Sequence, residues 1–300
     1  MTNVPVQPHE IRRIHDALAD EVSARERRLG EDLPLDATAG LGDLLHDVVD
    51  NWESGRKSLR TVPVCNVFAR ELDRPVSEET KRLATGLDAI INVYDDIIDT
   101  RELTTEAKIA YTVNAAFSGV AMVESCPPGA REAVNEVLLD YFTAVFQIPL
   151  VERTLFERME AMTSRHLQLN AAATLYRYRA RDIDAFAELP AAVMDVDADV
   201  ADRLRADLRA YRARRLLFKD IGDVERDLDD GDTTPVVYFL QTCETTEAVV
   251  DAVEELYARF TYSDVGRDRY GDVLTELEDA PADLDALIRE TRDAVAERAA

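Results

Sequence analysis

Asp95-Asp96-Ile97-Ile98-Asp99 closes an apolar run that begins at Leu87, and its carboxylates share the apolar face. Leu87, Ile91, Tyr94 and Ile98 follow one another by four, three and four residues, a core-facing stripe if the segment is helical. Asp95 falls four residues after Ile91 and three before Ile98, inside that stripe, and Asp99 lies one turn further along the same face. Carboxylates on a solvated face need no explanation, whereas carboxylates aimed at a core must be paired or hold a metal. Two hard oxygen donors one turn apart suit a magnesium ion that keeps its waters and shares a phosphate. A chain built around this stretch has to be helical there, and the rest of it has to supply the phosphate partner.

Helical spacing recurs almost throughout, with no strand alternation sustained beyond a few residues and no repeat period. It predicts helices over 8–29, 41–54, 60–72, 77–100, 105–124, 130–149, 151–180, 182–195, 197–228, 234–242, 245–261 and 283–298. The first of these reads as charged, exposed and peripheral, followed by a Gly/Pro/Asp loop to residue 40, and 182–195 is broken near Pro190. Asp73-Arg74-Pro75 reads as a turn, Ser77 as an N-cap, Cys126-Pro127-Pro128-Gly129 as a break, and Asp229-Asp230-Gly231-Asp232 as a stop. No linker is long enough to separate domains. The expectation is one all-α domain of about ten or more mostly antiparallel helices.

Net charge is −25 and the pI about 4.5, which argues against a nucleic-acid groove or an anionic membrane surface as partner. Four lysines stand against 31 arginines, and a carboxylate-rich, lysine-poor surface is expected of a protein from a very salty cytoplasm. In such a chain any isolated acidic cluster is more often solvated surface than site. Cys65, Cys126 and Cys243 are scattered, with no CxxC, and read as reduced core residues. His9, His15, His46 and His166 form no zinc-type cluster. No apolar run approaches the roughly 18 residues of a membrane span, and the polar N-terminus does not read as a signal peptide, so a cytoplasmic location is expected.

A second acidic row lies at Phe218-Lys219-Asp220-Ile221-Gly222-Asp223, with Asp227 four residues beyond Asp223. Asp220, Asp223 and Asp227 line one helical face with Leu216, so these acids again continue an apolar row. Alone, the stretch reads as a solvated acidic helix end. Two such faces, Asp95 and Asp220 being 125 positions apart, together suit a cluster of divalent ions. Gly55-Arg56-Lys57-Ser58-Leu59-Arg60 places three cations within five residues of an otherwise anion-repelling chain. Lys57 and Arg60, one turn apart at a helix start, suit a phosphate, with charge compensation for neighbouring acids as the plainer account.

In this order the three segments resemble the trans-isoprenyl diphosphate synthases of the isoprenoid synthase superfamily. Gly55, Lys57, Leu59 and Arg60 match the GGKRxRP segment, Asp95 to Asp99 is a full DDxxD, and Phe218 to Asp223 is similar to a degraded FQxxDD. Asp227 to Pro235 resembles the glycine-containing turn after it, and the likeness spans about residues 50–240. The resemblance implies the isoprenoid synthase fold around a central cavity and a homodimer, or partnership with another prenyl synthase. It also implies two or three Mg2+ ions held by Asp95, Asp96, Asp99, Asp220, Asp223 and Asp227. Asp95, Asp99 and Lys219 would then act on an allylic prenyl diphosphate, Lys57 and Arg60 would bind a second diphosphate, and Ile90, Ile91 and Tyr94, with Phe68, would line the hydrocarbon pocket. Stripe residues of this kind are more often plain core. Arg177 and Arg181 are further candidates to neutralise the leaving diphosphate, with surface placement the plainer reading.

The departures concern the second diphosphate. The two arginines after DDxxD are absent, the histidine before it is replaced by Asp88, and the Gln of FQ by Lys219. Elongation with isopentenyl diphosphate is the first expectation. A class I terpene cyclase or phytoene/squalene-type synthase is the second, and a non-catalytic subunit of an active synthase the third. Arg269-Tyr270 resembles an Arg-Tyr pair near the end of terpene cyclases, at a shorter spacing from Asp227.

Overall fold

A computed structural model of the chain describes residues 5–32, 60–99, 126–145, 147–231, 233–278 and 280–299, with short pieces at 104–105 and 108–109. Every regular element among these residues is helical. In chain order they are α1 (Pro8–Asp32), α2 (Thr61–Leu72), α3 (Glu78–Asp99), α4 (Arg131–Val145), α5 (Ile148–Glu160), α6 (Arg165–Arg179) and α7 (Asp184–Val193), a 3-10 turn (Ala180–Ile183) preceding α7. Then follow α8 (Ala198–Gly222), α9 (Val224–Asp230), α10 (Pro235–Thr242), α11 (Thr246–Ala258), α12 (Asp264–Leu277) and α13 (Leu284–Ala299). The chain forms two compact units, residues 1–139 with 185–201, and 140–184 with 202–300.

In the first unit α1 packs on α2 and α3. Far from lying exposed, α1 buries Ile11, Ile14, His15 and Ala19 as a stripe, an i, i+3, i+4, i+8 pattern hidden among its charges. Asn66 holds the entry to α1 through both polar atoms, its Oδ1 accepting from the Val6 N–H at 2.7 Å and its Nδ2 donating to the Val6 carbonyl at 3.3 Å. Arg82 on α3 grips Glu21 at 2.7 and 2.8 Å, and the partly buried Lys81 bonds Glu10 and Glu78. α2 ends as expected at Asp73, which turns into the left-handed region at φ 47°. Ser77 caps α3, its Oγ accepting from the Thr80 N–H at 3.2 Å.

In the second unit α5 and α6 pack as a hairpin, and α10, α11 and α13 close over α6 and α9. The core holds Met159, Tyr176, Leu217, Ile221, Phe239, Val253, Leu256 and Phe260, all with exposures of 2 % or less. Burying an aliphatic or aromatic side chain of this size contributes about 1.5–3 kcal/mol. Thr234, Thr245 and Ser263 cap α10, α11 and α12 by accepting from the N–H three residues on. Pro235 at the first turn of α10 costs no bond, because its N–H position needs none.

Several boundaries differ from the expected spacing, and the break expected near Pro190 is absent, since α7 runs through that proline to Val193. Residues 151–180 break at 161–164, and 130–149 ends early at Val145, before Pro149 opens α5. The helix expected over 197–228 divides at Asp223, and α12, unexpected, fills 264–277. The helices expected over 41–54 and most of 105–124 lie outside the described residues.

Candidate functional site

The first acidic motif lies at the C-terminal end of α3, so the backbone places Asp95 and Asp99 one turn apart, with Asp99 the last helical residue. The negative end of a helix dipole, with two aspartates one turn apart in the sequence of its last turns, makes a cation-seeking terminus. The side chains of residues 93–99, and so of Tyr94, Asp95, Asp96 and Asp99, lie outside the described residues, as does Lys57. The turns before them are packed: Ile90 and Ile91 are 6 % and 5 % exposed, and Phe68 on α2 is fully buried.

Arg60 stands at the N-cap of α2 and is buried. Its Nη1 donates to Oδ1 of Asp88 at 3.4 Å. Asp88, wholly buried on α3, also accepts from the Thr61 N–H at 3.0 Å, the Thr61 hydroxyl at 3.1 Å and Asn92 Nδ2 at 3.3 Å. Burial pushes the Asp88 carboxyl above the usual carboxylate range, against the pull of the Arg60 guanidinium and the Thr61 donors. Asp88 is thus the hub joining α2 to α3.

The second acidic row divides by partner. Asp220 is 3 % exposed, and its Oδ2 accepts from the Tyr176 hydroxyl at 2.9 Å and Arg179 Nη1 at 2.6 Å, while Oδ1 takes Arg179 Nη2 at 3.2 Å. Arg179 also lies 3.4 Å from Glu152. Burial lowers the affinity of the Arg179 guanidinium for its proton, but Asp220 and Glu152 outweigh it and hold that proton above the ordinary range. Both Asp220 oxygens are therefore taken by a buried fork. Asp223 is half-buried, accepts from Arg226 at 2.7 Å and lies 3.9 Å from Lys219. Asp227 is buried and 4.0 Å from Arg226.

Although the helix is interrupted at Asp223, the Asp223 N–H still donates to the Lys219 carbonyl and the Asp227 N–H to the Asp223 carbonyl, each at 2.9 Å. The one-turn spacing of Asp223 and Asp227 survives the interruption, so this pair fits a hard cation better than Asp220 does. The Lys219 side chain is about half exposed; partial burial and the Arg212 guanidinium lower its ammonium pKa, while Asp223 and Asp220 pull it up.

Arg177 and Arg181 have ordinary structural contacts. Arg177 donates to the Arg259 carbonyl at 2.9 Å, and Arg181 lies 3.6 Å from Asp184. Tyr270 is buried and donates to Asp207 at 2.6 Å. Sequence spacing missed Asp88, Tyr176 and Arg179 as partners, because acid–base contacts between helices leave no periodic signal. The one hint for Arg179 was its place among three alternate arginines, Arg177, Arg179 and Arg181.

Among the described residues no three His, Cys, Asp or Glu side chains converge closely enough to hold a metal ion. No single helix among them is long and apolar enough to cross a membrane. Compared with known protein families, curated proteins and solved structures, the chain finds no match.

Proposed function

We propose that the chain is a magnesium-dependent enzyme of the isoprenoid synthase type that ionises an allylic prenyl diphosphate and transfers the prenyl group. The observation that carries this reading is the pairing of Asp95 with Asp99 one turn apart where α3 ends, directly after its buried turns at Leu87, Ile90 and Ile91. Asp95 and Asp99, with Asp96 beside them, are the carboxylates of the first unit that would hold Mg2+, and Asp223 with Asp227 those of the second. The metal supplies charge stabilisation for the departing diphosphate. Asp220 keeps its motif's helix in place through Arg179 and Tyr176. Lys219, its ammonium half in solvent, offers a cation to the leaving group. Ile90, Ile91 and Phe68 offer the apolar wall that keeps water from a carbocation.

The order of the motifs points to isopentenyl diphosphate as acceptor. One observation favours a second reading, ionisation without that acceptor as in a terpene cyclase or phytoene/squalene-type synthase: Arg60, carried over as a ligand of the second diphosphate, is buried against Asp88. The test is incubation in high salt with magnesium and farnesyl or geranylgeranyl diphosphate, with and without isopentenyl diphosphate, reading products by mass spectrometry beside released diphosphate. Longer diphosphates formed only with isopentenyl diphosphate mark elongation, and a hydrocarbon or alcohol formed without it marks the second reading. Absence of any magnesium-dependent turnover sinks both and leaves the non-catalytic partner.

A further inference from the structure

We draw no further inference here: the strongest candidate, the half-buried Cys243 thiol at the end of α10, which accepts from Arg165 Nη2 at 2.9 Å while Arg292 of α13 donates to its carbonyl at 3.1 Å, is a lone cysteine, and no second group among the described residues points to a ligand there.

Discussion

Two buried aspartates do most to separate brace from ligand in this chain. Asp220 and Asp88 are both buried, and both meet an arginine. Removing the carboxylate of Asp220 leaves the Arg179 guanidinium and the Tyr176 hydroxyl without their acceptor, so Asp220→Ala is expected to cost about 3–5 kcal/mol of unfolding free energy, read by urea titration. Magnesium binding by the folded fraction should be unchanged, because Asp220 has no free oxygen for the metal. A variant that keeps its stability but loses magnesium would return Asp220 to the ligands. For Asp88 the prediction concerns pH. Its folded carboxyl is raised, so between the ordinary carboxylate range and the folded value the native state binds more protons than the unfolded state. Its contribution to stability is therefore fully present below the ordinary carboxylate range and falls as pH rises through that window. Asp88→Asn should flatten this part of the curve of urea midpoint against pH, and an unchanged slope would refute the assignment.

At the scale of elements, α12 shows what spacing can and cannot reveal. Asp264 to Leu277 carries Gly266, Gly271 and alternating charges, a composition that reads as loop. The helix exists because its start is seized from outside. Asp207 on α8 accepts from the Ser263 N–H at 2.6 Å, the Ser263 hydroxyl at 2.7 Å and Tyr270 at 2.6 Å. Gly266 is needed for that approach, since a Cβ there would lie 2.1 Å from Asp207 Oδ2 and 2.9 Å from Ser263 Oγ. Gly266→Ala should thus destabilise by about 1–3 kcal/mol despite alanine's higher helix propensity, while Gly222→Ala, whose Cβ meets nothing, should stabilise by up to about 1 kcal/mol. Denaturant midpoints of the two variants shifting the same way would contradict this.

The contrast explains how much of the molecule the sequence disclosed. Periodicity, Ser77 and the Asp73 turn revealed most helices and their faces, since those signals are local. The stripe on α1 was obscured by its charges, and the partners of Arg60 and Asp220 were hidden because a contact 28 or 41 residues away has no period. The acidic spacing did survive. Asp223 and Asp227 keep one turn between them across an interrupted helix because the backbone bonds continue.

For the whole molecule, net charge sets the terms. With 60 acidic and 35 basic side chains the folded chain concentrates a charge of −25 on its surface, and self-repulsion opposes compaction. The interior ion pairs do not relieve it. Arg212 with Asp182, Arg179 with Asp220 and Arg214 with Glu278 pair a cation and an anion each and leave the excess outside. Among the described residues most carboxylates outside these pairs are exposed or half-exposed, and salt reaches those. At about 0.1 M ionic strength repulsion extends about 10 Å, enough to couple carboxylates on neighbouring turns, and at about 1 M it is cut to about 3 Å. The unfolded chain spreads the same charge over a larger volume and benefits less from screening. Raising KCl from about 0.1 M to about 2 M is therefore expected to raise the thermal midpoint by at least about 5 °C. Most of the rise should arrive below about 1 M, where screening changes fastest. Replacing KCl with an uncharged osmolyte at equal osmolality separates screening from general exclusion of solute. An equal rise with the osmolyte, or a midpoint flat in salt, would show that surface charge does not govern the stability of this chain.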